Sequence, residues 1–343
     1  MKNFAITTTA TAMLLAGTTL ATAQETTLTY SSWFPPSHSL NTALAEWIEN
    51  VEEATDGRVT VEYLPATVGA VRDQFDVAVD GLADIVLILP GYTPGRFPIM
   101  EMGELPLLVP TDQATVAPVF NRVYDDQLAQ YEPFKGTHVL TVFASAPTSV
   151  TTTEGNAVTS MEDFEGLKFR APSTTASAVI DAVGAVAVQK PVTEIYELAS
   201  TGVVDGTFFS LGPIISWKTQ DIFKEITMMP GGMGQSVIAL LMNQDRWDSL
   251  SAEDQEAIAS VSGPELAGII GRVWQEDEDN AEAQLEEIGG FTYHDVSDEF
   301  FNNFTEAMAP VEADWIARAK EAGVEDPQAL LDAFRAELSA AND

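Results

Sequence analysis

The sequence predicts an α/β protein, and three observations carry that prediction. Ile85-Val86-Leu87-Ile88-Leu89 is a continuous apolar run closed by Pro90, as expected of a parallel strand covered on both faces. Similar short runs alternate along the chain with segments whose apolar residues recur at helical spacing. With 343 residues, 45% of them apolar and only 20% charged, the chain is able to bury a core in about two domains.

Residues 1–23 read as an export signal. Lys2 precedes a weakly apolar stretch containing Met13, Leu14, Leu15 and Leu20, and Ala21-Thr22-Ala23 supplies a small-x-small cleavage site. Threonines at 7 to 9, 11, 18 and 19 make the run too polar for a membrane anchor. No later segment is apolar enough to span a bilayer, so the mature chain is expected to be exported and soluble.

Leu28–Ser31 opens the folded part as a short strand, and Leu40, Leu44, Trp47, Ile48 and Val51 then recur at helical spacing until Gly57. Val59, Val61 and Tyr63 alternate with Thr60 and Glu62, the period of a half-buried strand. Val71, Phe75 and Val79 give a second helix ending at Gly81, before the buried run at 85–89. The same grammar predicts strands at 139–143, 203–209 and 237–242, a short strand ending in Leu167-Lys168-Phe169, and helices at 177–183 and 195–199. Leu266, Ile270, Val273, Ala281, Leu285 and Ile288 share one face of a long helix, whose acids Glu276 to Asp279 and Glu286-Glu287 are expected on its solvated side. Two further helices are expected at 300–319 and 327–338.

Lys and Arg number 16 against 52 Asp and Glu, a net charge of −36, and there is no cysteine. Such an acidic surface repels phosphate backbones and anionic lipids, so nucleic-acid binding and basic-patch membrane attachment are excluded; so are thiol nucleophiles and zinc fingers. No nucleophile elbow, phosphate loop, dinucleotide fingerprint or H-E-x-x-H motif is present. His38, His138 and His294 lie in separate segments, none with a second histidine at metal-ligand spacing. No cofactor, metal or catalytic residue is therefore assigned.

Aromatic and glycine-proline positions at expected strand ends stand out instead. Trp33-Phe34-Pro35-Pro36 follows the first strand, with His38 among the first residues of the next helix; Tyr92 follows the buried run, and Phe208-Phe209 closes another strand. In open α/β sheets ligands bind beyond the carboxyl ends of strands, although core filling explains any one of these rings equally well. Arg170, at the end of a short apolar strand before Ala171-Pro172, is a sharper candidate: its fork either pairs with a ligand carboxylate or makes a surface salt bridge.

In order along the chain stand Trp33-Phe34-Pro35-Pro36-Ser37-His38, Pro94-Gly95-Arg96-Phe97-Pro98, Glu104-Leu105-Pro106, the stretch Met161 to Arg170 (MEDFEGLKFR), Glu194-Ile195-Tyr196 and Gly202-Val203-Val204-Asp205-Gly206. Together with the export signal, this ordered set resembles the DctP-type solute-binding subunits of TRAP (tripartite ATP-independent periplasmic) transporters. The resemblance implies a periplasmic protein with two α/β lobes around a ligand cleft, joined by strand crossings and a long helix bracing both. On that basis residues 24–145 plus about 236–275 are expected to form lobe I, and 146–235 plus about 276–343 lobe II. The resemblance also implies that Arg170 matches the family arginine that holds a ligand carboxylate, and that small and large membrane subunits receive the ligand. Some relatives carry a second arginine where this chain reads Ala144 to Ser149, and Gln-Glu-Asn where it reads Thr207-Phe208-Phe209. Those departures argue against a sialic-acid-like ligand and against a metal-bridged one.

One cation among Trp33, Phe34, His38, Tyr92, Phe208, Phe209 and Trp217 suits a small organic anion with an apolar or aromatic body. A monomer that binds without catalysis is the leading expectation. A sulfonate ligand, an exported carboxylate-based hydrolase or lyase, and a structural or sensory partner without a ligand are the alternatives.

Overall fold

The computed structural model describes residues 25–108 and 112–341; the expected export signal lies outside the described residues. The chain begins β1 (Thr26–Ser31), α1 (Ser39–Ala54), β2 (Val59–Tyr63), α2 (Gln74–Val79), β3 (Ile85–Ile88), α3 (Gln113–Val123) and β4 (Thr137–Ala144). It continues through β5 (Ser149–Thr153), β6 (Lys168–Ala171), α4 (Thr174–Ala182), β7 (Val186–Gln189), α5 (Ile195–Ser200), β8 (Gly206–Phe209), α6 (Leu211–Ser216) and β9 (Phe223–Thr227). The last part comprises β10 (Val237–Asn243), α7 (Gln244–Asp248), α8 (Ala252–Ser260), α9 (Pro264–Ile288), β11 (Thr292–His294), α10 (Asp298–Glu321) and α11 (Pro327–Ala341).

Two sheets organise two lobes. The first has the order β2-β1-β3-β10-β4 and the second β11-β9-β5-β8-β6-β7. Every residue of β3 is buried, as its continuous apolar run requires, and it pairs in parallel with β1. On its other side it pairs with β10, which is antiparallel to both β3 and β4, so the first sheet is mixed where the apolar run alone suggested parallel neighbours. In the second sheet β8 starts at Gly206 instead of Val203, because the amides of Val203 and Val204 turn back to the Leu198 carbonyl and close α5. Val203 is accordingly exposed.

The expected helix over Val71, Phe75 and Val79 splits into a 3₁₀ turn, Val71–Asp73, and α2. The long helix α9 packs on α1 and α3 beside the first sheet and on α6 of the second lobe, so it braces both. Its acidic stretch is not uniformly solvated. The Glu278 carboxylate accepts from Ser210 Oγ (2.7 Å), Leu211 N (2.7 Å) and Gly212 N (3.2 Å), capping α6 and tying α9 to the end of β8. The tail divides, with α10 packed on α4 and α11 on α3.

Two extended segments cross between the sheets, one from β4 to β5 and one from β9 to β10, and they hydrogen-bond to each other. Ser145 N donates to Ser236 O (2.8 Å), Thr148 N to Gly234 O (2.9 Å) and Met233 N to Thr148 O (2.8 Å). Gly234 has φ +118°, and a Cβ there would lie 2.8 Å from the Glu104 carbonyl oxygen, so this crossing requires glycine.

Candidate functional site

In β1 and β3, and again in β6 and β8, the strands run parallel, so each of these pairs turns its carboxyl ends to one side of its sheet. Between those ends lies a cavity of about 70 Å³. One water needs roughly 10–15 Å³ of such space, so the cavity holds several water-sized groups, the bulk of one small ring with a substituent. All eight side chains marked in the sequence border it: Trp33, Phe34 and His38 after β1, Tyr92 after β3, Arg170 on β6, Phe208 and Phe209 at the end of β8, and Trp217 after α6.

Phe208 and Phe209 point to opposite faces of β8, towards Phe169 and Phe223 respectively, and both reach the cavity because it lies beyond the strand end. Trp33 is fixed by its indole N–H, which donates to Leu87 O at 2.8 Å. It stacks on Phe34 with ring centroids 4.0 Å apart, and Trp217 lies 6.5 Å from Trp33 and 6.1 Å from Phe34. The cluster makes a dry wall at one side of the cavity.

Arg170 is 3% exposed. Its Nε donates to Lys190 O (2.7 Å) and its Nη2 to Tyr92 Oη (3.1 Å), which aims the fork while leaving Nη1 without a protein acceptor among the described residues. No carboxylate of the described residues forms an ion pair with it. Burial pushes its pKa down, opposed by the Tyr92, Glu104 and Glu194 oxygens, yet a guanidinium stays charged at any physiological pH. A buried cation with no carboxylate in direct contact is costly unless another anion meets it. Tyr92 Oη also accepts from Val192 N (3.0 Å), so one hydroxyl on the first lobe joins two donors on the second.

His38 is the N-cap of α1: Nδ1 accepts from Leu40 N at 3.2 Å, leaving the ring proton on Nε2. Burial lowers its pKa to about 3, so it is neutral and does not titrate near physiological pH.

Sequence reasoning missed Trp274, Ser145, Thr148, Ser210 and Ser236, which also line the cavity. Trp274 lies on the core face of α9 and carries no signal distinguishing it from core filling. The serines and threonine belong to the crossings and to a strand end, where composition marks only loop. Thr148 Oγ1 donates to Gly234 O (2.7 Å) and Ser210 Oγ to Glu278 Oε1 (2.7 Å), so both spend their protons on the protein and retain lone pairs.

Beside the cavity the lobes meet closely. A Cβ on Gly91 would lie 2.5 Å from Ser173 Cβ and 3.0 Å from Glu104 Oε1. Glu101 Oε2 accepts from Thr175 N (3.1 Å), Thr175 Oγ1 (2.7 Å) and Arg318 Nη1 (2.9 Å), joining the segment after β3 to α4 and α10. Glu104 is buried with Oε2 unpartnered, and burial, then the charge of Glu101, raises its pKa.

Two α/β lobes joined by paired crossings and a bracing helix, with an aromatic, singly cationic cavity between their strand ends, define a two-lobed binding protein for small solutes. The chain belongs to the family of bacterial extracellular solute-binding proteins, family 7 (DctP), which matches residues 30–318. It is similar to a TRAP periplasmic solute-binding protein from Bordetella bronchiseptica with bound (R)- and (S)-mandelate, at 34% identity and TM-score 0.86, covering 92% of this chain and 99% of that one. A marine metagenome TRAP solute-binding protein specific for aromatic acid ligands, in complex with 3-hydroxybenzoate, is 30% identical with TM-score 0.86, covering 93% of this chain and 100% of that one. A curated relative, the outer membrane transporter protein TsaT of Comamonas testosteroni, is 26% identical over 96% of this chain and 97% of its own. The resemblance seen in the motifs is thus that of a TRAP solute-binding protein, from a family whose members bind small organic ligands in the periplasm and work with membrane subunits.

Proposed function

We propose that this protein captures a single-ring aromatic carboxylate between its lobes, with Arg170 holding the carboxylate and Trp33, Phe34, Tyr92, Phe208, Phe209 and Trp217 enclosing the ring. The observation that carries this reading is the Arg170 fork: buried, aimed by Lys190 O and Tyr92 Oη, and without a carboxylate partner among the described residues. A ligand anion supplies the missing charge, and the aromatic wall excludes water and strengthens that pairing. The small cavity favours one ring, and the aromatic acids bound by the two structural relatives agree in size and charge.

The lobes are taken to divide at the crossings 144–149 and 227–237 and within α9. Closure brings Tyr92 and Gly91 of the first lobe against Val192 and Ser173 of the second, so the described arrangement is the closed one. The ligand returns unchanged to membrane subunits; no catalytic role is proposed. Export by the 1–23 signal and a monomeric state complete the proposal.

Thermal unfolding of the mature chain with benzoate, phenylacetate and mandelate, each against its neutral amide and with benzenesulfonate alongside, tests the reading. A ligand at about 100 times its Kd adds about 2.7 kcal/mol, roughly 5 °C for a chain of this size. Midpoints raised by the carboxylates and unmoved by the amides are expected. Equal shifts with acid and amide, or none with any carboxylate, overturn it.

A further inference from the structure

The helix α6 does not cap itself. Its N-cap residue, Ser210, makes no side-chain bond to the helix amides, and the six residues Leu211–Ser216 include Gly212 and Pro213, both weak helix formers. So short a helix does not hold its place alone. Its cap comes from Glu278, in the second half of α9. That carboxylate accepts from Leu211 N (2.7 Å) and Gly212 N (3.2 Å), the only amides in the first three positions because Pro213 has none, and from the Ser210 hydroxyl (2.7 Å). The chain held in this way borders the ligand cavity: Phe209 and Ser210 stand before α6, Pro213 lies in its first turn and Trp217 follows its end. Ser210 also borders an outer cavity of about 290 Å³ beside Glu278, so it forms part of the wall between the two spaces. One turn back along α9, Trp274 borders the ligand cavity as well and packs edge-on against His38 and Phe143 of the first lobe. A single stretch of α9 thus touches both walls.

We infer that Glu278 is a positioning residue for ligand capture: it clamps the start of α6 to α9 and thereby sets Phe209, Pro213 and Trp217 as the wall that encloses the ligand's ring. The inference rests on the aromatic-carboxylate reading and adds to it a residue that acts through others. Arg170 is fixed independently, by Lys190 O and Tyr92 Oη, so Glu278 governs the enclosure of the ring and not the carboxylate clamp. Without its carboxylate, water from the outer cavity satisfies the amides of Leu211 and Gly212, and α6 stays solvated but loses its fixed position. Each binding event then has to order the segment again, and fixing the backbone of even one residue weakens binding by roughly 5- to 30-fold.

The test combines calorimetric titration with amide hydrogen exchange read by mass spectrometry, for the native mature chain, Glu278→Ala and Glu278→Gln, using the best binder among benzoate, phenylacetate and mandelate. Glu278→Ala is expected to bind roughly 5- to 30-fold more weakly. Glu278→Gln should recover part of that loss, because its one carbonyl oxygen still accepts while its NH₂ group faces the remaining donors. In ligand-free Glu278→Ala the amides of residues 211–217 should exchange at least about tenfold faster than in the native chain, the rest of the second lobe should be unchanged, and ligand should restore the protection. A residue that only stabilises the fold would speed exchange throughout the lobe. Affinity within about twofold of native in Glu278→Ala, or a loss of affinity with exchange at 211–217 unchanged or raised evenly across the chain, overturns the inference and leaves the carboxylate reading standing. If Glu278→Ala does not unfold cooperatively, Glu278→Gln, expected to lose at least about threefold, decides on the same two readouts. A native chain that binds none of the three acids removes the carboxylate reading itself, and the role of Glu278 with it.

Discussion

Replacing Tyr92 by phenylalanine separates closure of the lobes from mere filling of a pocket. The hydroxyl accepts from Val192 N at 3.0 Å and from Arg170 Nη2 at 3.1 Å, joining the first lobe to the second. Phenylalanine preserves the ring beside Trp33, whose centroid is 6.0 Å away, and removes only the oxygen. In an open form the Val192 amide meets water; on closing over phenylalanine it is buried without an acceptor, which costs about 1–3 kcal/mol. The freed Arg170 proton has a ligand carboxylate within its reach, so the amide alone sets the minimum. If the ligand binds the closed form, the whole of that cost appears in the apparent affinity, a loss of roughly 5- to 150-fold. Calorimetry with the best carboxylate measures it, and small-angle scattering with ligand at a fixed multiple of native Kd reads the fraction closed. The ligand-free midpoint should move by no more than about 2 °C, because the open form solvates the same groups. Native affinity in Tyr92→Phe, within twofold, would refute the bridging role of this hydroxyl.

Gly91→Ala places a methyl 2.5 Å from Ser173 Cβ across the lobe boundary, so affinity should fall at least about tenfold with a smaller effect on the ligand-free midpoint; unchanged affinity in calorimetry contradicts the close approach. Glu104 gives a pH signature, facing Glu101 on its own turn, Arg318 from α10 and Arg170 from β6, with its pKa pushed up to about 8 by burial and then by Glu101. A raised carboxyl pKa contributes stability that is complete below about 4.5 and lost as pH rises through about 8. The native midpoint should therefore fall relative to Glu104→Gln between pH 5 and 9; a constant difference in thermal scans over that range contradicts it.

Much of this molecule is legible in its sequence because its strongest signals are local. The run Ile85 to Leu89 and the apolar face of α9 each report burial directly: β3 forms over Ile85–Ile88, and Leu266, Ile270, Val273, Ala281 and Leu285 are buried on α9 while Ile288, at the helix end, is exposed. The strands β5, β7, β9 and β11 went unread, and β5 shows why. Ser-Val-Thr-Thr-Thr has no apolar alternation, yet four of its five residues are buried, because the strand lies inside the sheet between β8 and β9. Its burial is decided by long-range pairing, which a local pattern does not encode. The eight marked site residues come together for a general reason: in parallel pairs the carboxyl ends fall on one side, so aromatics after strands converge. Trp274 escaped because a cavity-lining indole on α9 has the same spacing as the core residues Ile270 and Val273. Glu278 was misread for the converse reason: a carboxylate among acids looks solvated in a linear sequence, and only folding brings the amides of Leu211 and Gly212 within hydrogen-bond reach of it.

The central claim is that the buried fork of Arg170 holds a ligand carboxylate, and calorimetric titration of benzoate or its best-binding analogue into native and Arg170→Met chains tests it most directly. Methionine keeps much of the apolar stem and removes the charge, and truncating one partner of a buried charge pair costs about 2–5 kcal/mol, so affinity should fall by roughly 30- to 5000-fold while the variant unfolds cooperatively. Binding within about threefold of native by a folded Arg170→Met chain would contradict the claim.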